Sequence, residues 1–174
     1  ATFVCMKSIK DLRINGHSHL LPYPEEIPDF MKEKEIFWVD EERKFMLQKG
    51  WKRPVTDSSF FLDEKLAWME KCKIDHAVVL NLSQLYGNGL RVEEMKKALR
   101  FQNDFNARIQ KEYPSKFTCG FVVHPGFVRG AIWEIERCVE ELDMKLLCLP
   151  THYMDTIGTW RCIFDEENEK IFAL

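Results

Sequence analysis

No stretch of this 174-residue sequence stays apolar over the roughly 20 residues that a membrane-spanning helix needs. The opening ATFVCMKSIKDLR lacks the basic, then apolar, then small order of a secretory leader, so none is expected. Basic residues form no cluster. The formal charge is −3 and the Lys and Arg residues are dispersed, which argues against a nucleic-acid or anionic-membrane surface. No CxxC pair occurs among the six cysteines, and several sit inside apolar runs such as FTCGFVV and KLLCLP. They read as buried, reduced thiols of a cytoplasmic protein rather than a disulfide framework, and the sequon at Asn81 then carries no sugar. No strand-like segment is followed by a Gly-rich phosphate turn. There is also no nucleophile elbow and no Cys–His pair at a readable spacing.

What is present is a globular composition, 45% hydrophobic and 13% aromatic, at a length suited to one domain with a sizeable core. Four segments read as buried strands: 11–16, 75–82, 116–123 and 145–150. The last three are near-continuous apolar runs, as in strands covered on both faces of a parallel sheet. Helical stripes lie between them. Leu62, Leu66 and Met69 form one, and Val92, Met95, Leu99 and Ile109 a second, which Pro114 stops. Ile132, Ile135, Val139 and Leu142 form a third, and FDEENEKIFAL begins a fourth helix. This alternation predicts βα units with right-handed crossovers, about the first four of an eight-stranded (β/α)8 TIM barrel. A four-stranded doubly wound sheet is the alternative. Residues 20–59 interrupt the pattern with a proline-rich segment and then aromatic runs split by DEER and KG, predicting a small β meander that lies over one barrel end as a lid.

Chemistry centres on INGHSHLLP. Residues i and i+2 of a strand share a face, so His17 and His19 can converge on one divalent metal at the C-terminal end of the first strand. Two hydrogen-bonded histidines at a strand end fit the same spacing, and the spacing does not choose between them. Arg53, in the aromatic-rich insert, could grip a substrate carboxylate bidentately, or be solvated at a hairpin end. Tyr86 sits among glycines in NLSQLYGNG, either a substrate-contacting loop or an ordinary βα connection. His124 reads as a histidine bonded to nearby backbone, and His152 as a weaker site candidate; both follow strands. Asp104, Asp143 and the cluster Asp165-Glu166-Glu167 read as solvated helix faces.

These residues carry a resemblance. INGHSHLLP resembles the first-strand His-x-His of the amidohydrolase superfamily. WKRPVT, QNDFNARIQKEYPSKFTCGFVV, EIERCVEELDMKLLCLPTH and FDEENEKIFAL follow in the order found in aminocarboxymuconate-semialdehyde decarboxylase and related metal-dependent decarboxylases. The resemblance implies a TIM barrel and zinc or another divalent metal, with His17 and His19 as ligands and Arg53 holding a substrate carboxylate. His152 falls where relatives often carry histidine. The implied activity is non-oxidative decarboxylation of an unsaturated or aromatic carboxylic acid by a homodimer. The remaining ligands and the catalytic histidine would lie beyond Leu174. Two features depart from the pattern: Asn15 stands where an aspartate is usual, and SSFFLD at 58–63 replaces a Trp-Asp-Pro segment. A hydrolase of lactones or amides, or a non-catalytic half-barrel fragment, are the competing expectations.

Overall fold

A computed structural model of the chain describes residues 11–55 and 60–173. Cys5, Ser58, Ser59 and Leu174 lie outside them. A parallel sheet holds the strands β1 (Ile14–Ser18), β5 (His76–Val79), β6 (Phe117–Val122) and β7 (Leu146–Cys148), in that spatial order. The insert supplies a one-turn helix α1 (Asp29–Glu33) and an antiparallel meander of β2 (Trp38–Val39), β3 (Phe45–Gln48) and β4 (Trp51–Pro54). Helices α2 (Leu62–Lys71), α3 (Val92–Glu112) and α4 (Val128–Glu140) connect the parallel strands. A short hairpin of β8 (His152–Met154) and β9 (Trp160–Cys162) follows β7, and a single turn α5 (Glu169–Phe172) closes the described chain.

The strand order follows chain order, as expected of successive βα units. Ala77 and Val79 of β5 and Phe117, Cys119 and Phe121 of β6 face the helices, where Met69, Ile109, Ala131, Ile135 and Cys138 close the main core over them. In α4 the buried stripe is Ala131, Ile135 and Cys138, with Leu142 packed against the same core, so the predicted stripe holds at Ile135 and Leu142 and fails at Val139. Val139 is 47% exposed, because the i, i+4, i+7 face turned to the sheet begins one residue earlier than the bulkier aliphatics suggest. The insert has a second core of Leu21, Ile27, Met31, Phe37 and Met46, sealed by Phe61 and by Ala98 of α3. Its proline-rich start includes a turn of 3-10 helix at Pro24–Glu26 and then α1. Proline fixes φ near the helical value and suits a first helical turn. The β8–β9 hairpin was not foreseen, since its strands are only three residues each.

Strand β6 pairs with β5 through residues 117–119 and with β7 through 120–122, so each half has one edge without a strand partner. Amide side chains of α3 fill those edges. Asn106 Nδ2 donates to the Gly120 carbonyl at 2.7 Å. Asn103 Nδ2 donates to the Val122 carbonyl while Asn103 Oδ1 accepts from the Val122 amide, both at 2.9 Å. On the other edge, Gln110 Oε1 accepts from the Cys119 amide. Asn103 is fully buried, and buried backbone groups must be paired. Asn103→Ala strands two of them and is expected to lower the unfolding free energy by roughly 2 to 4 kcal/mol in urea titrations. A loss below about 1 kcal/mol would show that these amides find other partners.

Candidate metal centre

The site begins with a fault in β1. Asn15 pairs with Ala77 and Ser18 with Val79, so β1 advances three residues while β5 advances two. The extra residue is a β-bulge, and it reverses the alternation of every side chain beyond it. Asn15 and Ser18 both end on the helix-covered face that Ala77 and Val79 share. His17 and His19 are thereby turned to the opposite, inner face. Asn15 Oδ1 accepts from the His17 amide at 3.1 Å across the bulge.

His17 lies in β1 and is exposed; His19 lies one residue past its end and is half-buried. The backbone of Leu80, just after β5, grips both sides of this strand end: its amide donates to the Ser18 carbonyl at 2.8 Å, and its carbonyl accepts from His19 Nδ1 at 2.9 Å. A carbonyl only accepts, so Nδ1 carries the proton and His19 Nε2 presents a lone pair. That Nε2 is 3.2 Å from His17 Nε2, with the rings nearly perpendicular at 86°. Burial holds the His19 imidazole below the usual histidine range. Its bond to Leu80 opposes this, and the nearby His17 and Lys65 push it further down. The ring is thus kept neutral, the form that binds metal.

The 3.2 Å separation is that of a hydrogen bond from His17 Nε2 to His19 Nε2. It is also close to the roughly 3.4 Å between two imidazole nitrogens each about 2.1 Å from a tetrahedral ion, so the same geometry suits a shared divalent cation. The Nδ1–H tied to a backbone carbonyl is the outer-shell arrangement that metal-binding histidines ordinarily have. Among the described residues, no third His, Cys, Asp or Glu joins the pair.

His17 and His19 line a cavity of about 570 Å³ on the inner side of the sheet, together with Arg53, Tyr86, Asn81 and Cys148. Arg53 stands on β4 opposite Met46, exposed at the rim. Tyr86 is carried by a loop whose turns need Gly87 and Gly89 at φ of +82° and +76°. Asn88 Oδ1 fastens that loop to β8 by accepting from the Met154 amide at 3.0 Å. Burial pushes the Tyr86 phenol and the Cys148 thiol up. Neither Asn81 nor Cys148 stood out in sequence, where both are strand-end residues of an apolar run.

The other two histidines lie elsewhere. His152 is exposed on β8, with Nδ1 3.4 Å from its neighbour Thr151 Oγ1, and does not line the cavity. His124 is buried and accepts from the Gly126 amide through Nδ1 at 3.2 Å, the backbone bond its position predicted. Its Nε2 is buried without a partner among the described residues.

Neither the models of protein families nor the curated proteins give any match to this sequence. Solved structures do. The 2,6-dihydroxybenzoate decarboxylase from Rhizobium is 14% identical with a TM-score of 0.64, over 93% of this chain and 46% of that one. The 5-carboxyvanillate decarboxylase from Novosphingobium aromaticivorans, complexed with manganese and 4-hydroxy-3-methoxy-5-nitrobenzoic acid, is 20% identical with a TM-score of 0.67, over 93% and 46%. A protein described as amidohydrolase II is 14% identical with a TM-score of 0.64, over 92% and 46%. These likenesses establish the fold: the chain is built like part of these proteins, and it spans less than half their length.

Burial holds His124 down to about 4, with Asp155 opposing the shift. Its unfolded form gains a proton near pH 6.5 while the folded form stays neutral, so stability is present above that pH and falls as pH drops from about 6.5 towards 4. His124→Asn keeps an acceptor for the Gly126 amide and removes the titration. Between pH 7 and pH 4.5 the native chain is expected to lose about 2 to 3 kcal/mol more than this variant in urea unfolding. Equal losses would contradict a buried neutral His124.

Proposed function

We propose that this chain forms the N-terminal part of a (β/α)8 barrel enzyme, a divalent-metal-dependent, non-oxidative decarboxylase of an unsaturated or aromatic carboxylic acid. The observation that carries the proposal is the convergence of His17 and His19 Nε2 atoms, 3.2 Å apart, in one cavity with Arg53. The decarboxylase neighbours share the fold, and one of them holds manganese with an aromatic acid. In this reading residues 20–59 are a lid-like part of the same domain, and the enzyme is a cytoplasmic homodimer.

His17 and His19 would hold the metal, zinc or manganese, and further ligands would come from outside the described residues. When bound, a divalent cation supplies Lewis acidity to substrate oxygens. Arg53 presents a planar fork of donors that matches a carboxylate bidentately. From the rim it would orient the acid in the cavity, while the apolar walls of Leu80, Leu147 and Leu149 exclude water from the carbon losing CO2. Tyr86 lies close enough to the same space to contact the ring, and its raised phenol keeps its proton. A proton must reach the carbanion-like centre, and the donor belongs to the catalytic histidine expected elsewhere in the enzyme. His152, outside the cavity, keeps only a proposed peripheral substrate contact.

The amidohydrolase neighbour supports a second reading, hydrolysis of a lactone or amide in the same site. Release of CO2 from candidate acids, measured beside ring opening of lactones, separates the two.

Elemental analysis of the complete enzyme, carrying the residues that complete the site, is expected to find near one equivalent of zinc or manganese, lost in His17→Ala/His19→Ala. Absence of metal from both proteins would overturn the metal assignment. Arg53→Ala is expected to weaken binding of an aromatic carboxylate about tenfold or more while the metal content stays unchanged. Loss of metal in that variant would mean Arg53 supports the centre and not the substrate.

A further inference from the structure

Beneath the histidine pair, on the other side of β1, lies a buried cation. Lys65 of α2 is 3% exposed, and its Nζ donates to Ser18 Oγ at 2.7 Å. The ammonium also stands 5.4 Å from the Trp68 ring. A lysine at a helix position facing a sheet is costly to bury, and methionine would fill the same space without that cost. Packing alone therefore gives no reason for it.

Its bond to Ser18 bears on the register of β1. Ser18 is buried between His17 and His19, and its pairing with Val79 is the first after the bulge. Successive strand residues face opposite ways. Holding the Ser18 side chain against α2 therefore obliges both flanking imidazoles to face the cavity. The competing arrangement drops the bulge: β1 slips by one residue, Ser18 turns inward, and both histidines turn into the helix layer. An apolar residue at 65 would accept either register. The bond from Lys65 Nζ to Ser18 Oγ forms only in the register that turns Ser18 towards α2.

We propose that Lys65 is a positioning residue for the histidine pair, locking the bulged register of β1 through Ser18 so that His17 and His19 face the cavity together. The role is independent of any contact with substrate. Its metal readout rests on the function proposed above.

The test uses the full chain with Lys65→Met, and with Ser18→Ala as the milder change that removes the same bond. Zinc(II) affinity is read by competition with a chromophoric chelator. The His19 tautomer is read without metal from imidazole nitrogen shifts by NMR, and circular dichroism reports folding. Both variants are expected to stay folded, to bind zinc about tenfold to a hundredfold more weakly, and to lose the single Nδ1–H form of His19. Should Lys65→Met fail to fold, Ser18→Ala carries the same expectation. Zinc affinity and His19 signals unchanged from the native chain in Ser18→Ala would overturn the positioning role and leave the metal assignment standing. If the native chain binds no zinc, yet His19 loses its single tautomer in the variants, the positioning role stands and the metal assignment falls.

Discussion

Side chains along a strand alternate between two faces, so one inserted residue decides where everything beyond it points. In β1 that residue lies between Asn15 and Ser18. With it, Ser18 joins Ala77 and Val79 on the helix-covered face, and the histidines occupy the cavity. Three contacts on different elements hold this outcome: the Asn15 carboxamide on the His17 amide, Lys65 of α2 on Ser18, and the Leu80 backbone on Ser18 and His19. Each is modest by itself, about 1 kcal/mol net. Together they act on one choice between two registers, and the chemistry of the site depends on that choice.

The cavity itself follows from strands that end at different heights. β5 stops at Val79, β6 continues to Val122, and β7 begins opposite Gly120. The stagger leaves strand edges that the amides of α3 must satisfy, and it leaves room above β5 for the Leu80–Asn81 turn and the Tyr86 loop. The meander closes the space from the far side and brings Arg53 to its rim. Gly120 contributes by having no side chain, since a Cβ there would stand 2.5 Å from Cys148 Sγ.

Much of this was legible in the sequence, and the reason lies in how redundantly it was written. Apolar runs in β5 and β6 mark strands covered on both faces, and the meander shows in aromatic runs split by polar turns. The His-x-His spacing placed both imidazoles on one face, and Arg53 and Tyr86 line the cavity with them. What escaped notice depends on pairing rather than on pattern. A bulge is a mismatch between two strands, invisible in either alone, and the polar α3 residues that bond β6 look like a solvated face until the strand edges they fill are known. Lys65 lies on the face of Leu62, Leu66 and Met69, and nothing in that pattern singles it out. In α4, size misled: Ile132 and Val139 suggested a stripe that smaller Ala131 and Cys138 in fact occupy, because close packing against a sheet favours small residues there.

The account stands on two imidazole nitrogens sharing one ion on the inner side of the sheet. Anomalous diffraction from crystals of the complete enzyme grown with zinc or manganese tests that directly. The account predicts a single strong peak at about 2.1 Å from Nε2 of both His17 and His19, with His19 Nδ1 still donating to Leu80. No peak between the two rings, or imidazoles turned towards α2, would contradict it.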